Sequence, residues 1–540
     1  MPTNISIADR RPRAYRGGTG IDRADDGNPG HLDPVVVEAK ERFKFCARWE
    51  HNARKNFLDD CKIANADAYN GYQWPNDIKR NRDTEEKPCL TINKIRQHNL
   101  QIINDGKKNK PGIKIRPTGN GATAESASAI QAWMRHVEYR SNATAAYDTA
   151  STFQVTGGIG YWRVMTEFLS EDSFDQEAKI VRIDDPLTVY IDPEAIDIAK
   201  LDANYAFVFE DTLADEFERM HPEFAEFATA QNTIDDEEGW VRTDYIRSCE
   251  YWRKVVEEDT LYAWRDRRTG RELILRESVL KSAPDLLRTI REDPTTRKRS
   301  TTRTVVEMNY IVGTRLVETK KWPGKYIPIV PVIGEEVVIE GIMDRKGHTR
   351  SLIDTQRMFN YWASAAVEYG ALQSKTPWIA AAEAIEGYET YWNTANKVNH
   401  SILPYNGMND AGEPIPPPQR LPPPEALPLA ITGMQICQTE FGLVSGQYND
   451  SMGDQSNERS AKAINERQRQ GDTSTYHFID NLGIAIAATG KILLDIFPYI
   501  YDTQRVLACE AEDGVDFQLE IDPRAQQVFA KKMDHLGKVA

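Results

Sequence analysis

The sequence predicts a helix-rich α+β fold made of long helices and small β modules. Several long stretches carry apolar residues at three- and four-residue spacing, the pattern of a helix with one buried stripe. Between them lie shorter runs rich in Val, Ile and aromatic residues, bounded by Gly-Gly and Asp-Pro turn signals. No segment repeats at a period of 20–50 residues, which argues against a solenoid or propeller.

Met1–Leu32 is rich in Arg, Gly and Asp with few apolar residues and reads as a disordered arm. Asp33-Pro34 then supplies an N-cap and a helix-starting proline. The helix that follows places Phe43, Cys46, Trp49, Ala53, Phe57, Cys61 and Ala64 on one stripe. Ala122–Phe153 reads as one long helix, stopped by Gly157-Gly158. Tyr161–Glu167 and Ile180–Ile183 read as strands joined by an acidic turn, Asp184–Pro193 as a strand between Asp-Pro turns, and Tyr205–Glu210 as a further strand. Leu213–His221 reads as a helix ended by Pro222.

Val241–Lys346 changes character and reads as one α+β module. Tyr251–Val256 and Val305–Val312 have strand composition, and a polar insertion containing Arg297, Lys298, Arg299 and Arg303 separates them as a loop. Helix returns at Ser351–Leu372, with Leu352, Phe359, Trp362, Ala363 and Ala366 at helical spacing. Thr376–Pro428, with seven prolines between Pro414 and Pro424, reads as a long irregular loop, of the kind that usually has a function. Ala430–Gly446 looks helical, and Val506–Ile521 suggests an acidic hairpin turning at Glu512-Asp513-Gly514.

The most informative stretch is Gly446–Gln504. Glu458–Gln470 reads as a helix ended by Gly471, with Ala461, Ala463 and Ile464 its only apolar residues. Such a helix has no stripe to bury in its own subunit, so it must line a polar cavity or pack against copies of itself. Arg459, Lys462, Glu466, Arg467 and Gln470 are therefore candidates for subunit packing or channel lining. A second helix follows, with Ile479, Leu482, Ile486, Leu493, Ile496 and Ile500 in series and Thr489 in the one gap; Pro498 ends the run. Asp480, Lys491 and Asp495 interrupt it, which suits a packed seam better than a membrane span.

The 540 residues have room for roughly three to four domains. Hydrophobic content is 40%, low for a self-contained globule, yet 22 Tyr and 11 Trp argue against general disorder. No apolar N-terminal run suits a signal peptide. Cys46, Cys61, Cys89, Cys249, Cys437 and Cys509 are widely spread without a C-x-x-C pair, so reduced thiols are expected rather than a zinc or disulfide framework. Net charge is −15, which does not suit a simple DNA clamp. Val241–Arg350 runs against that trend, with 23 Lys and Arg to 17 Asp and Glu. Its basic run, Arg297–Arg303, is either a solvated loop or a contact for DNA phosphates or an acidic partner.

Catalytic patterns are missing. Gly483–Lys491 comes nearest to a phosphate loop, but six residues separate its glycines and Ile492 stands where Ser or Thr should reach Mg²⁺. Asp235–Glu238 reads as a solvated turn, and Asp184, Asp185 and Asp192 sit in turn contexts rather than as a nuclease cluster. The nine histidines include no H-x-x-x-H pair, and no Gly-x-Ser-x-Gly elbow occurs. No enzyme, metal or cofactor is expected.

In their order, several blocks resemble the portal proteins of short-tailed phages: Gly71–Trp74, Pro88–Ile95, Gly157–Val164, Asp185–Pro193, Arg350–Ser364, and then Ser451–Ser456, Arg459–Gln470, Asp480-Asn481, Leu482–Phe497 and Tyr501–Arg505. The resemblance implies a subunit with wing, stem, clip and crown regions. Residues 34–240 would form the wing after the 1–33 arm. A clip-like basic module would follow at 241–348, then stem or channel helices with the Pro-rich loop at 349–475, and a crown-side helix and hairpin at 476–540. It further implies a homo-oligomeric ring, normally of twelve copies, at a capsid vertex, assembled in the bacterial cytoplasm. The partners would be a terminase motor, a head–tail adaptor, capsid and scaffolding proteins, and double-stranded DNA passing without sequence specificity; no membrane is involved. Arg297, Lys298, Arg299 and Arg303 would then touch DNA or the motor. Family members are expected to continue further at the C-terminus, so that an extended helical barrel is absent or short here. The alternatives are a head-completion or tail adaptor ring and a terminase-type ATPase and nuclease.

Overall fold

Asp33 begins the fold as expected. Its side chain accepts a hydrogen bond from the Val35 amide at 2.7 Å, and Pro34 opens α1 (Pro34–Ala64). The computed structural model describes residues 33–109, 111–117, 124–170, 172–220, 222, 245–265, 272–281, 284–313, 315–373, 376–409, 411–422, 426–447, 461–501, 503, 505–510 and 516–521. The N-terminal arm, Asp235–Glu238, Ser451–Ser456, Arg459 and the turn at Glu512–Gly514 lie outside these residues. The buried stripe of α1 includes Val36, Ala39, Phe43, Cys46, Ala53 and Phe57, but also two carboxylates, Glu50 and Asp60. Trp49 and Cys61 are only half-buried.

α2 (Asn76–Thr84) and α3 (Ile95–Lys108) follow, then α4 (Ala124–Arg140) and α5 (Ala143–Gly157). The single helix expected over Ala122–Phe153 is thus two. Asn142 takes a left-handed conformation, φ +48°, which asparagine tolerates better than most residues, and the chain turns there. Gly158, φ +99°, closes α5 as expected.

Two main sheets are built from segments far apart in sequence. β1 (Ile159–Phe168) pairs antiparallel with β2 (Gln176–Arg182) and with β9 (Ile329–Ile333). The second sheet runs β3 (Val189–Ile191), β4 (Tyr205–Leu213), β5 (Tyr245–Arg265), β7 (Arg297–Val312), β8 (Arg315–Trp322), with β6 (Glu272–Arg276) beside the far half of β5. Both sheets cross the boundary expected at residue 240. Asp184–Pro193 is strand only at β3; before it, Asp185 accepts from the Leu187 amide and caps a single 3₁₀ turn, Pro186–Thr188.

Arg297–Arg303 is strand rather than loop. Its composition carries no strand signal, but β5 imposes one: the two strands stay in register from Ala263 opposite Arg297 to Ser248 opposite Val312. α6 (Ala214–Met220) follows β4, and α7 (Glu277–Leu280) and α8 (Pro284–Glu292) lie between β6 and β7. Next come the hairpin of β10 (Glu335–Ile339) and β11 (Ile342–Lys346), and α9 (His348–Gln373). α9 packs along α12 (Ala426–Ser445) around Leu352, Phe359, Cys437 and Phe441.

The segment between those helices is irregular for most of its length, as expected, but it carries short elements. β12 (Trp378–Ile379) pairs with β13 (Gln419–Arg420), and α10 (Ala382–Ile385) and α11 (Glu389–Thr394) lie between them. Trp378 meets Trp392 edge-on at 5.3 Å, and Asn406 donates to the carbonyls of Glu383 and Glu386. Pro414, Pro416, Pro417 and Pro418 lie outside helix and strand, as their fixed φ and missing N–H favour.

α13 (Ala461–Ile500) is one helix of 40 residues where two were expected. Gly471 costs only about 1 kcal/mol inside a helix, which a helix anchored at its far end absorbs. Pro498 lies within its last turn, two residues before the end. The anchor is the main core, where Ile492, Leu493, Ile496 and Phe497 pack with Trp133, Trp162 and Val330. Thr475–Ile500 is apolar and long enough to cross a membrane by length and composition, but 61% of its most apolar window is buried inside this fold. β14 (Arg505–Glu510) and β15 (Asp516–Ile521) pair antiparallel as a hairpin.

Two glycines separate packing from propensity. A Cβ on Gly160 would run into the Ala150 carbonyl of α5, whereas one on Gly370 in α9 meets nothing outside its helix within 4 Å. Gly160→Ala should cost about 3 kcal/mol and Gly370→Ala should add up to about 1 kcal/mol. Chemical denaturation of both variants checks this.

Candidate functional site

The blocks that stood out in the sequence converge on one buried joint. Gln356, Asn360 and Ser364 recur every four residues on α9 and so share a face. The extended segment Pro88–Lys94 lies along that face. The Gln356 side-chain oxygen accepts from the Lys94 and Ile95 amides at 2.8 and 3.2 Å, and its nitrogen donates to the Ile92 carbonyl at 2.8 Å. Asn360 accepts from the Ile92 amide at 3.1 Å and donates to Gln73 at 2.7 Å. Ser364 accepts from the Leu90 amide at 2.9 Å. All four side chains are buried. A segment with no strand beside it thereby has its backbone groups satisfied.

A second set ties α13 to this frame. Gln154 donates to the carbonyls of Ile333 and Phe478, both at 3.0 Å. Asn481 donates to those of Ile333 and Gly334, both at 2.9 Å. Thr489, the gap in the apolar series, accepts from the Trp162 indole at 2.8 Å, so the interruption is a buried polar contact.

Charge is buried beside the joint. Arg345 bridges Glu50 at 3.2 Å and Glu336 at 3.0 Å; Lys200 reaches Glu336 at 3.1 Å and Arg54 reaches Glu50 at 3.1 Å. Burial opposes the ionisation of Glu336, but Arg345 and Lys200 outweigh it and hold its pKa below the usual value. Glu50, Tyr161, Asp192 and Lys200 line a polar cavity of about 20 Å³, room for one water. Asp60 pairs with Arg350 at 2.8 Å, yet burial pushes its carboxyl up to about 6 against that partner.

His348, at the start of α9, faces the Asn99 side-chain oxygen at 3.0 Å and the Ser445 carbonyl at 3.4 Å. His98 lies nearby, 2.7 Å from Gln447, and His477 is a neighbour from α13. Burial, reinforced by these histidines, pushes His348 down to about 4.

The sequence candidates fall elsewhere. Arg297, Lys298, Arg299 and Arg303 are on β7. Lys462, Glu466, Arg467 and Gln470 lie in the first three turns of α13, while Arg459 is outside the described residues. Gly483–Lys491 is helical, so its backbone cannot curl around a phosphate. Asp185 and Asp192 serve turns: Asp192 accepts from the amides of Glu194 and Asn204 at 3.0 Å. Among the described residues no group of three or more His, Cys, Asp or Glu is placed to hold a metal ion.

The family profile described as phage P22-like portal protein matches residues 40–535. The chain belongs to that family. A portal protein of Acyrthosiphon pisum secondary endosymbiont phage 1 is 24% identical over 443 residues, which cover 80% of this chain. The chain spans 61% of that relative's length. The assignment selects the portal family over the adaptor and terminase alternatives.

Two outcomes test this joint. Gln356→Ala strands the buried Ile95 amide and the part-buried Lys94 amide and Ile92 carbonyl, and should destabilise the fold by roughly 2–4 kcal/mol in chemical denaturation. His348 is neutral in the fold, while in the unfolded chain it takes a proton near pH 6.5. It therefore removes stability as pH falls from 6.5 to about 4. Asp60 acts oppositely, removing stability as pH rises from 3.8 to about 6. Between pH 6.5 and 4, the melting temperature of His348→Asn should fall less than that of the wild type.

Proposed function

We propose that copies of this chain close into a ring at one vertex of a phage capsid, and that DNA enters and leaves through the central channel. The observation that carries this is the family match over residues 40–535. Two features of the subunit support it. α13 has a buried, apolar C-terminal half and an N-terminal stretch, Ala461–Gln470, with almost no apolar residue to bury. α12 carries a single charged residue, Glu440, and exposes Leu429, Ile436 and Leu443 at seven-residue spacing, a seam suited to another helix. Twelve copies is the expected number.

An acidic chain suits a channel. Neutralising many phosphates with Lys and Arg would hold DNA tightly, whereas carboxylates along a bore leave no register sticky. The proposed partners are a terminase motor, a head–tail adaptor, and capsid and scaffolding proteins. The subunit's part is structural rather than enzymatic, in the virion and, before that, in the bacterial cytoplasm.

Two segments compete for the docking end that meets motor and adaptor. The first is 241–348, on its basic charge and its place before the Arg350–Ser364 block. The second is 376–422, favoured by its position between the facing ends of α9 and α12 and by exposed Ile379, Ile402 and Met408. We place the docking end there and keep α9 and α12 as the stem helices.

Native mass spectrometry should show one large cyclic species, or a monomer that converts to it; a strict monomer at every concentration and salt sinks the ring. The purified protein should neither hydrolyse ATP nor cut DNA. Replacing Ile402 and Met408 with Asp should leave the ring intact and abolish motor binding. If changing Arg297, Lys298, Arg299 and Arg303 to Ser does so instead, the first segment is the docking end.

A further inference from the structure

The far half of the β5–β7 arm has two unlike faces. Residues directly opposite each other in an antiparallel pair project to the same side. Tyr262 lies opposite both Lys298 and Leu275, and Trp264 opposite Leu273. That side is covered at Tyr262 and Trp264, which form a cluster of their own with Leu280 of α7 and Leu287 and Ile290 of α8. The alternate residues make the other side. Arg297 is opposite Ala263, Arg299 opposite Leu261, Arg303 opposite Glu257, and Arg276 joins them from β6 opposite Leu261. This side is open: Ile274 is 56% exposed and the Arg297 side chain 77%.

The carboxylates on the open side are engaged within the arm. Glu272 pairs with Arg297. Glu257 pairs with Lys321 of β8 at 2.9 Å. Asp259 accepts from the Ser278 hydroxyl at 2.7 Å and from the amides of Ser278 and Thr260. Arg276 spends one N–H on the Thr302 carbonyl at 3.2 Å. Arg299 and Arg303 make no side-chain hydrogen bond or ion pair with any described residue. Two guanidinium forks, roughly 13 Å apart along one strand, thus stand on this ribbon without an ion-pair partner among the described residues.

We propose that this open face binds the phosphate backbone of duplex DNA. A guanidinium presents paired N–H donors that match a phosphate, and a β-ribbon is narrow enough to lie against a duplex groove. Charge complementarity is the argument for this occupant. An acidic protein surface fits less well, because protein interfaces centre on buried aromatic or aliphatic anchors, and the most exposed apolar side chain on this face is a single Ile. With phosphate contacts alone the binding carries no base preference. Lys298 is exposed as well, but it projects to the opposite side, with Tyr262.

The face can be tested whether or not the chain forms a ring. Binding of a labelled random-sequence duplex to the full-length protein is measured by fluorescence anisotropy over a salt series. The double variant R299S/R303S should bind about tenfold more weakly at physiological salt, and the slope of log affinity against log salt should fall by about two. K298S should leave affinity and slope unchanged. Arg299 is exposed and Arg303 half-buried, and circular dichroism checks the fold of each variant. Equal binding by R299S/R303S and wild type overturns the proposal, as does an equal loss in K298S. A change in copy number by native mass spectrometry with unchanged DNA affinity also overturns it, and assigns the face to the acidic surface of another copy. A wild-type chain that stays monomeric yet shows the contrast between the variants upholds the face and refutes the ring.

Discussion

An extended segment buried against a helix has no strand to satisfy its amides and carbonyls, and the fold depends on how that need is met here. Gln356, Asn360 and Ser364 supply the missing partners to the backbone from Leu90 to Ile95. The arrangement fixes where α3 begins, because Ile95 is both its first residue and the last amide held by Gln356. It also fixes how α9 sits against α1 and α12, since Leu352 and Phe359 face the Ile63, Ile95 and Phe441 cluster from the same helix. Gln154 and Asn481 apply the same chemistry to β9 and the start of the buried half of α13. Side-chain amides are suited to this, since each offers both a donor and an acceptor to a peptide group.

Much of the element order was legible because local signals and tertiary need agreed. The Asp33-Pro34 start, the strands on either side of the acidic turn, the helices at Ser351 and Ala430 and the final hairpin all follow from capping, periodicity and turn chemistry. Local signals failed where a distant partner decided the outcome. Arg297–Arg303 has no strand character apart from β5, and Gly471 reads as a stop only while the anchoring of the following helix is unseen. Ser141-Asn142 was the reverse case: a weak polar break inside an alanine-rich run turned the chain because Asn142 could take a positive φ.

The buried charges mark another limit. Glu50 and Asp60 fall on the inner stripe of α1, where periodicity predicts apolar residues. Their partners, Arg345 and Arg350, lie 295 and 290 residues further along the chain. Loss of Arg350 would leave the buried Asp60 without its partner, whereas Glu50 would keep Arg54 and Arg345 would keep Glu336. These pairs add less net stability than their number suggests, since desolvation offsets attraction, but they penalise any other docking of α1 against the β11 end of the hairpin.

The two-sided arm has a consequence for how this chain can diverge. Its exposed surface admits many single replacements, because few of those side chains are packed. Its length does not. Loss or gain of one residue within β7 would exchange the two sides along the rest of the strand, bringing arginines onto the side of Tyr262 and Trp264. Loss of two restores the parity. Among descendants of this sequence, changes in strand length should therefore come in even steps, while odd steps should be found only with a compensating bulge.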